Sequence, residues 1–437
     1  VSERGSVATS LTSGVSADIA ARLAPVDAEL ARRYPGDPGS RQPVHTVYVP
    51  ADVFAADTVT RWGAQARDLL GEHAPDAASF ASALGLSREL AAPVYERVCA
   101  KLVREPVEDL RIDFEDGYGA RSDAEEDADA ERAARLIAHA RDEAGAPPYA
   151  GIRMKCMEAA VRERGIRTLD IFLTALLDAG PLPAGLHLTL PKVSHPEQVA
   201  AMARLCEEFE RARGLPQGRL GFEIQIETTQ SVLGPDGRAT VALMIDAAAG
   251  RATSLHYGTF DYSAACGVSA AHQSMDHPAA DHAKAVMQVA AAGTGVRLSD
   301  GSTNVVPTGS RQQVHDAWRL HHGLVRRSLA RAYHQGWDMH PGHLPSRYAA
   351  VYAFYREGME DAAARLAAYA GRSGGDGAVM DEPATARALS SHLLRGLDCG
   401  ALSAGEVARH SGMTRADLDH LAGRNPAPQG TGTSLRS

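Results

Sequence analysis

Gly221-Phe-Glu-Ile-Gln-Ile226, running directly into Glu227-Thr-Thr-Gln230, is the stretch on which the fold turns. Its apolar and β-branched residues read as a short strand ending in an acid. Runs of the same kind lie on both sides, at 45–49, 110–114, 151–154 and 186–190 before it, and at 253–257, 296–298 and 336–339 after it. From the second run onward their ends recur at roughly 30–40 residues, the length of one strand-plus-helix unit. Amphipathic stretches at 124–143, 196–214 and 281–292 fill the gaps. Eight strands alternating with helices predict an α/β fold, a (β/α)8 TIM barrel. The soft strand count near the C-terminus leaves an open doubly wound sheet as the competing reading. The gap from 49 to 110 is too long for one helix, and 57–70 and 87–102 both have helical patterns, so an inserted helical segment is expected after strand 1.

Beyond the barrel, 371–377 (Gly-Arg-Ser-Gly-Gly-Asp-Gly) has the composition of a flexible linker. Stretches 383–397, 403–412 and 414–423 read as three short helices with Ser and Thr caps, a C-terminal helical extension. The expected division is an N-terminal segment, partly disordered, over 1–42, a catalytic barrel over 43–370, the linker, and the extension over 378–437. With 437 residues, 44% hydrophobic and 23% charged, the chain can bury a sizeable core. A formal charge of −9 argues against nucleic acid or an anionic membrane as partner. No transmembrane run or signal peptide is expected. The five cysteines are scattered and never form C-x-x-C, which suits free thiols in a cytoplasmic protein and speaks against structural zinc.

Catalytic groups of such barrels come from the C-terminal ends of different strands. Those ends carry Asp113, Glu115 and Asp116; Arg153 and Lys155; Lys192; Glu227; Asp261; Asp300; and His340. Glu227 and Asp261 are 34 residues apart, one unit, so they would top neighbouring strands. Two carboxylates with substrate oxygens and water suit Mg2+ or Mn2+, although each acid could instead cap its own loop or helix. Arg153 lies inside a strand and must be paired, either with a substrate oxygen or with the Asp113/Glu115/Asp116 cluster. Only four of the 45 basic residues are lysines, and Lys192 is a candidate Schiff-base nucleophile or an ion-pair partner.

Asp113-Phe-Glu115-Asp116, Gly-Ile-Arg153, Leu-Pro-Lys192, Ile-Glu227-Thr, Gly-Thr-Phe-Asp261-Tyr and Met-His340-Pro341 follow one another in this order at strand ends. Together, over roughly 43–350, they resemble the citrate lyase beta subunit/malyl-CoA lyase branch of the HpcH/HpaI aldolase superfamily, with its phosphoenolpyruvate/pyruvate-type barrel. The resemblance implies that Glu227 and Asp261 are metal ligands and that Arg153 contacts the substrate oxo group and stabilises an enolate. It implies that Gly258, Thr259 and Phe260 hold a substrate carboxylate through backbone N–H groups. Lys192 and His340 complete the expected substrate site, and Glu115 and Asp116 the catalytic set. Where 2-oxo acid aldolases of the superfamily carry Glu-His, this chain has Glu115-Asp116, as citrate lyase-like members do.

The expected activity is a Mg2+-dependent carbon–carbon lyase or aldolase, in a homo-oligomer, on a small-molecule carboxylate (a 2-oxo acid) or an acyl-CoA, with CoA then part of the substrate. Arg61, Arg67 and Arg121 are candidates for a CoA-binding patch. The alternatives are a lysine-dependent aldolase using Lys192 or Lys155, and a non-catalytic barrel with a regulatory or assembly tail.

Overall fold

The computed structural model describes residues 10–140, 143, 145–371 and 382–424. Eight parallel strands form one sheet: β1 (Thr46–Pro50), β2 (Asp109–Asp113), β3 (Tyr149–Arg153), β4 (Leu186–Leu190), β5 (Phe222–Ile226), β6 (Ala252–Tyr257), β7 (Arg297–Ser299) and β8 (Trp337–Asp338). Their order is β7-β6-β5-β4-β3-β2-β1-β8. A parallel bridge between Ser299 and Gln335 brings the two ends together, and Trp337 N–H donates to the Gly301 carbonyl at 3.1 Å. The result is a near-closed, TIM-like barrel, and the open-sheet reading falls.

Every residue of β2 and β5 is buried, and the two faces carry opposite chemistry. One set (Leu110, Ile112, Ile152, Leu188, Ile224, Leu255) packs into an apolar layer with the surrounding helices. The alternate set is polar and fills the barrel interior. Arg111 of β2 reaches across to Glu223 of β5 at 2.8 Å, and Glu223 also accepts from Thr189 and meets His256 at 3.1 Å. Full burial of such charges is tolerated because each is paired and hydrogen-bonded.

The N-terminal residues hold a helix the sequence reading did not place, α1 (Ser13–Arg33). Between β1 and β2 lie α2 (Thr58–His73), α3 (Ala77–Leu84) and α4 (Arg88–Arg104). The sequence reading omitted α3, whose signal was an Asp76/Ser79 capping box. The middle of the chain supplies α5 (Asp123–Ala140), α6 (Arg162–Asp178), α7 (Pro196–Arg213), α8 (Thr229–Val232), α9 (Thr240–Ala247), α10 (Thr259–Ala265), α11 (Pro278–Ala291) and α12 (Arg311–Ala330). Two long helices follow β8, α13 (His343–Glu357) and α14 (Met359–Ala370).

The tail forms α15 (Pro383–Asp398), α16 (Ala404–Ser411) and α17 (Arg415–Ala422), the last two capped by Ser403 and Thr414 as expected. Residues 372–377 of the expected linker lie outside the described residues, as do 1–9 and 425–437. The tail shares a second apolar core with α2–α4 and α12–α14, contributing Leu393, Leu394, Val407 and Leu418. Arg395 donates to Gln42 and Arg424 to Asp37, both just before β1. That is the end of the barrel opposite the strand tips. Removing 378–437 is expected to uncover the packing of six large apolar side chains, Leu402 and Met413 included, several kcal/mol in all. An unchanged melting temperature would show the tail to be dispensable.

Candidate active site

A cavity of about 450 Å3 opens at the C-terminal ends of the strands. It is lined by Tyr48, Asp113, Asp116, Arg153, Glu227, Gly258, Thr259, Phe260, Asp261, Ser302, Trp337 and Asp338, among others. The ends of seven strands thus converge on one space, and seven of the ten site residues expected from sequence line it.

Arg153 ends β3 and is clamped by Asp113 at the end of β2. Its Nε and Nη2 each donate to one Asp113 oxygen at 2.7 Å. The same two oxygens accept from the N–H groups of Glu115 and Gly117, so the loop after β2 fixes the acid that fixes the arginine. The guanidinium lies over the rings of Tyr48 at 4.9 Å and Trp337 at 5.7 Å. Its remaining nitrogen, Nη1, is 3.5 Å from Gln225 Oε1 and 3.5 Å from Glu115 Oε2. The two sequence-level readings of Arg153 are therefore compatible: it is ion-paired and still lines the cavity.

Glu227 follows β5 and is 3% exposed. Among the described residues its carboxylate takes one hydrogen bond, from Lys192 N–H to Oε1 at 2.8 Å. Burial pushes its pKa up to about 8, with Arg153 only partly compensating. Lys192 makes that contact from a left-handed backbone, φ 49°, which a residue with a Cβ adopts sparingly. Gly258 is required on the other side, because a Cβ there would stand 2.4 Å from Glu227 Cβ and 2.5 Å from Oε2. Asp261 lies in the first turn of α10, its side chain about half exposed and its Oδ2 4.0 Å from Lys192 Nζ. The α10 N-terminus, with Gly258 as N-cap, has no side-chain cap, leaving its first N–H groups available to a ligand.

Lys192 Nζ holds Asp116 Oδ1 at 2.5 Å and Glu115 Oε1 at 2.8 Å. Burial opposes its charge, but these two acids outweigh burial and raise its pKa. Burial raises the Glu115 carboxyl, whereas at Asp116 the hydrogen bond from Lys192 overcomes burial and lowers it. Glu115 and Lys192 are not among the residues lining the cavity.

The structure does not bring every candidate in. His340 is half-buried outside the lining, its Nδ1 accepting from Gly342 N–H at 3.0 Å. Lys155 Nζ donates to the Phe114 carbonyl and pairs with Glu126 at 3.0 Å. Asp300 turns away to Lys284 and Ser328. Arg67 donates to the Leu102 carbonyl, Arg121 pairs with Asp52, and Arg61 stands 3.6 Å from Asp57, so none of the three lines the cavity. Sequence reasoning missed Tyr48, Trp337 and Asp338. For Tyr48 and Trp337 the signal was positional, since each shares the inward parity of its strand, whereas Asp338, next to Trp337, turns its carboxylate to His45 and Arg347.

Among solved structures, a citrate lyase from Burkholderia xenovorans LB400 matches with TM-score 0.54 and 19% identity, over 84% of this chain and 96% of that one. The protein CitE of Mycobacterium tuberculosis, in complex with magnesium, acetoacetate and coenzyme A, matches with TM-score 0.46 and 17% identity, over 83% and 99%. The Haloferax volcanii malate synthase magnesium/glyoxylate complex matches with TM-score 0.45 and 12% identity, over 87% and 97%. No curated protein matches the sequence. The first of these likenesses gives the fold, a barrel of the citrate lyase type, as the strand-end motifs had suggested. A family model covers residues 23–425, and the chain belongs to that family, described as Domain of unknown function (DUF6986).

Proposed function

We propose that the chain is a divalent-metal-dependent carbon–carbon lyase or aldolase acting on a 2-oxo acid or a hydroxyacyl-CoA. The observation that carries this reading is Glu227, a buried carboxylate on the cavity wall with, among the described residues, no cationic side chain hydrogen-bonded to it. A desolvated acid of that kind suits a bound cation, which would restore its charged form. Glu227 and Asp261 fit Mg2+ or Mn2+ as hard oxygen donors. Among the described residues no three His, Cys, Asp or Glu side chains form a cage, which leaves the other positions to water and substrate oxygens. When bound, the cation supplies Lewis-acid charge where negative charge develops as the carbon–carbon bond breaks.

The chain's own residues supply the rest. Arg153 offers a positive charge already oriented by Asp113, so little reorganisation is needed when a substrate oxygen becomes anionic. The N–H groups of Thr259 and Phe260 can receive a carboxylate at the start of α10. Tyr48 and Trp337, with ring centroids 4.3 Å apart, wall the arginine off from water. Glu115, whose pKa is raised, is the group suited to hold a proton beside Arg153, with Asp116 and Lys192 setting its charge environment. A protonated Lys192 makes a poor Schiff-base nucleophile.

The test is a panel of hydroxylated oxo acids and CoA thioesters, assayed for release of pyruvate, oxaloacetate or glyoxylate. Turnover should vanish with EDTA and return with Mg2+ or Mn2+. Activity that survives EDTA, with borohydride and substrate adding mass at Lys192 or Lys155, would replace this reading with the lysine-dependent one.

A further inference from the structure

Helix α1 stands out from the body of the protein with almost nothing to pack on. Of the described side chains from 15 to 33, all are exposed except that of Glu29. Its contacts with the rest of the chain lie at its C-terminal end. Arg33 is 3.5 Å from Asp246, and just beyond the helix Tyr34 lies beside Gly293 while Gly36 N–H donates to the Gly293 carbonyl.

The face it exposes is apolar. Val15, Ile19, Leu23, Val26 and Leu30 are each 43–51% exposed. At 3.6 residues per turn these five fall within an arc of about 80°. Leu11 and Tyr34, 75% and 51% exposed, extend the stripe at either end. The surface they offer is roughly 700 Å2, more than a monomer ordinarily leaves as one patch and close to the ~800 Å2 each partner brings to a stable interface.

Two further observations narrow the occupant. Pro25 sits inside the helix and removes a backbone hydrogen bond, so a lone helix of this length is marginal in water and needs packing to persist. The charges along the helix cancel, with Arg22, Arg32 and Arg33 set against Asp18, Asp27 and Glu29. A helix that binds anionic membrane is rich in Lys and Arg and poor in acids, and this whole chain carries a formal charge of −9. We propose that α1 is an assembly arm whose apolar stripe is covered by a second copy of this chain.

The test uses the full chain and light scattering across micromolar concentrations. Wild type should run as a multiple of the chain mass. Ile19→Asp with Val26→Asp should weaken association on the order of a hundredfold or more. Asp18→Asn, off the stripe, should leave it unchanged. Ile19→Leu with Val26→Ile should also preserve it, which separates loss of apolar contact from loss of the helix. A wild-type monomer at every concentration would overturn the proposal, as would a multimer untouched by the aspartate pair. Co-flotation of a monomer with phosphatidylserine vesicles would assign the stripe to lipid instead.

Discussion

Glu227→Gln is expected to abolish divalent-metal binding and, in the same protein, to raise the stability of the metal-free form. The amide keeps the volume and can still accept from Lys192 N–H, so only the charge is removed. The sign follows from the two ends of folding. In the unfolded chain the carboxyl ionises near 4.5, whereas in the folded chain burial holds it protonated up to about 8. Below pH 4.5 wild type and variant should therefore be equally stable. Between 4.5 and 8 the wild type falls progressively behind, and above 8 the gap is constant, a few kcal/mol in order of magnitude. Saturating Mg2+ should reverse the ranking, because ligand binding stabilises only the protein that binds it. Asp261→Asn should also lose the metal but barely move the metal-free protein, since its carboxylate is about half exposed. Calorimetric titration with Mg2+ and denaturant melts at pH 5, 7 and 9 decide the matter. Near-wild-type affinity in Glu227→Gln would remove it from the metal site, and melts that do not diverge with pH would contradict the desolvation of its carboxylate.

Asp113→Ala should be the most destabilising change in the site. It leaves the Arg153 guanidinium, 5% exposed, without the two 2.7 Å bonds that neutralise it, and strips the N–H groups of Glu115 and Gly117 of their acceptor. Removing one partner of a buried pair typically costs about 3–5 kcal/mol. Adding Arg153→Met to Asp113→Ala should recover much of that loss, because no unpaired charge remains buried. The double variant should nevertheless lack turnover, because the charge facing the cavity is gone. Arg153→Lys should fold but lose most activity, since an ammonium cannot make the bidentate contact and present a third nitrogen to the cavity. Urea denaturation and the oxo-acid assay separate the two roles. A loss below about 1 kcal/mol for Asp113→Ala would mean that the aromatic rings and Glu115 hold Arg153 without it.

Much of the barrel was legible in order of sequence. A strand such as 222–226 is a short apolar run bounded by turn residues, and eight of them at unit spacing leave few alternatives to a parallel barrel. The caps at Ser403 and Thr414 were legible for the same reason, since a cap is made by residues three positions apart. Strand ends could also be read, which is why Arg153, Glu227 and Asp261, which line the cavity, could be picked out from spacing alone. Helix α1 was missed although Val15, Ile19, Leu23, Val26 and Leu30 have helical spacing, because residues 1–42 were read as one N-terminal segment, partly disordered.

Local spacing determined which residues stand at the strand tips, because the strand-plus-helix unit repeats along the chain. Tertiary structure alone decided what those residues meet. Glu223 and Arg111 lie 112 residues apart on two strands, and only closure of the barrel makes them one ion pair. The same closure sets Trp337 of β8 against Tyr48 of β1 around Arg153, and it leaves His340 outside the cavity although it follows a strand end as the others do. Sequence patterns carry direction along one element, whereas burial and pairing depend on which elements face each other across the barrel, a distance the chain order does not encode.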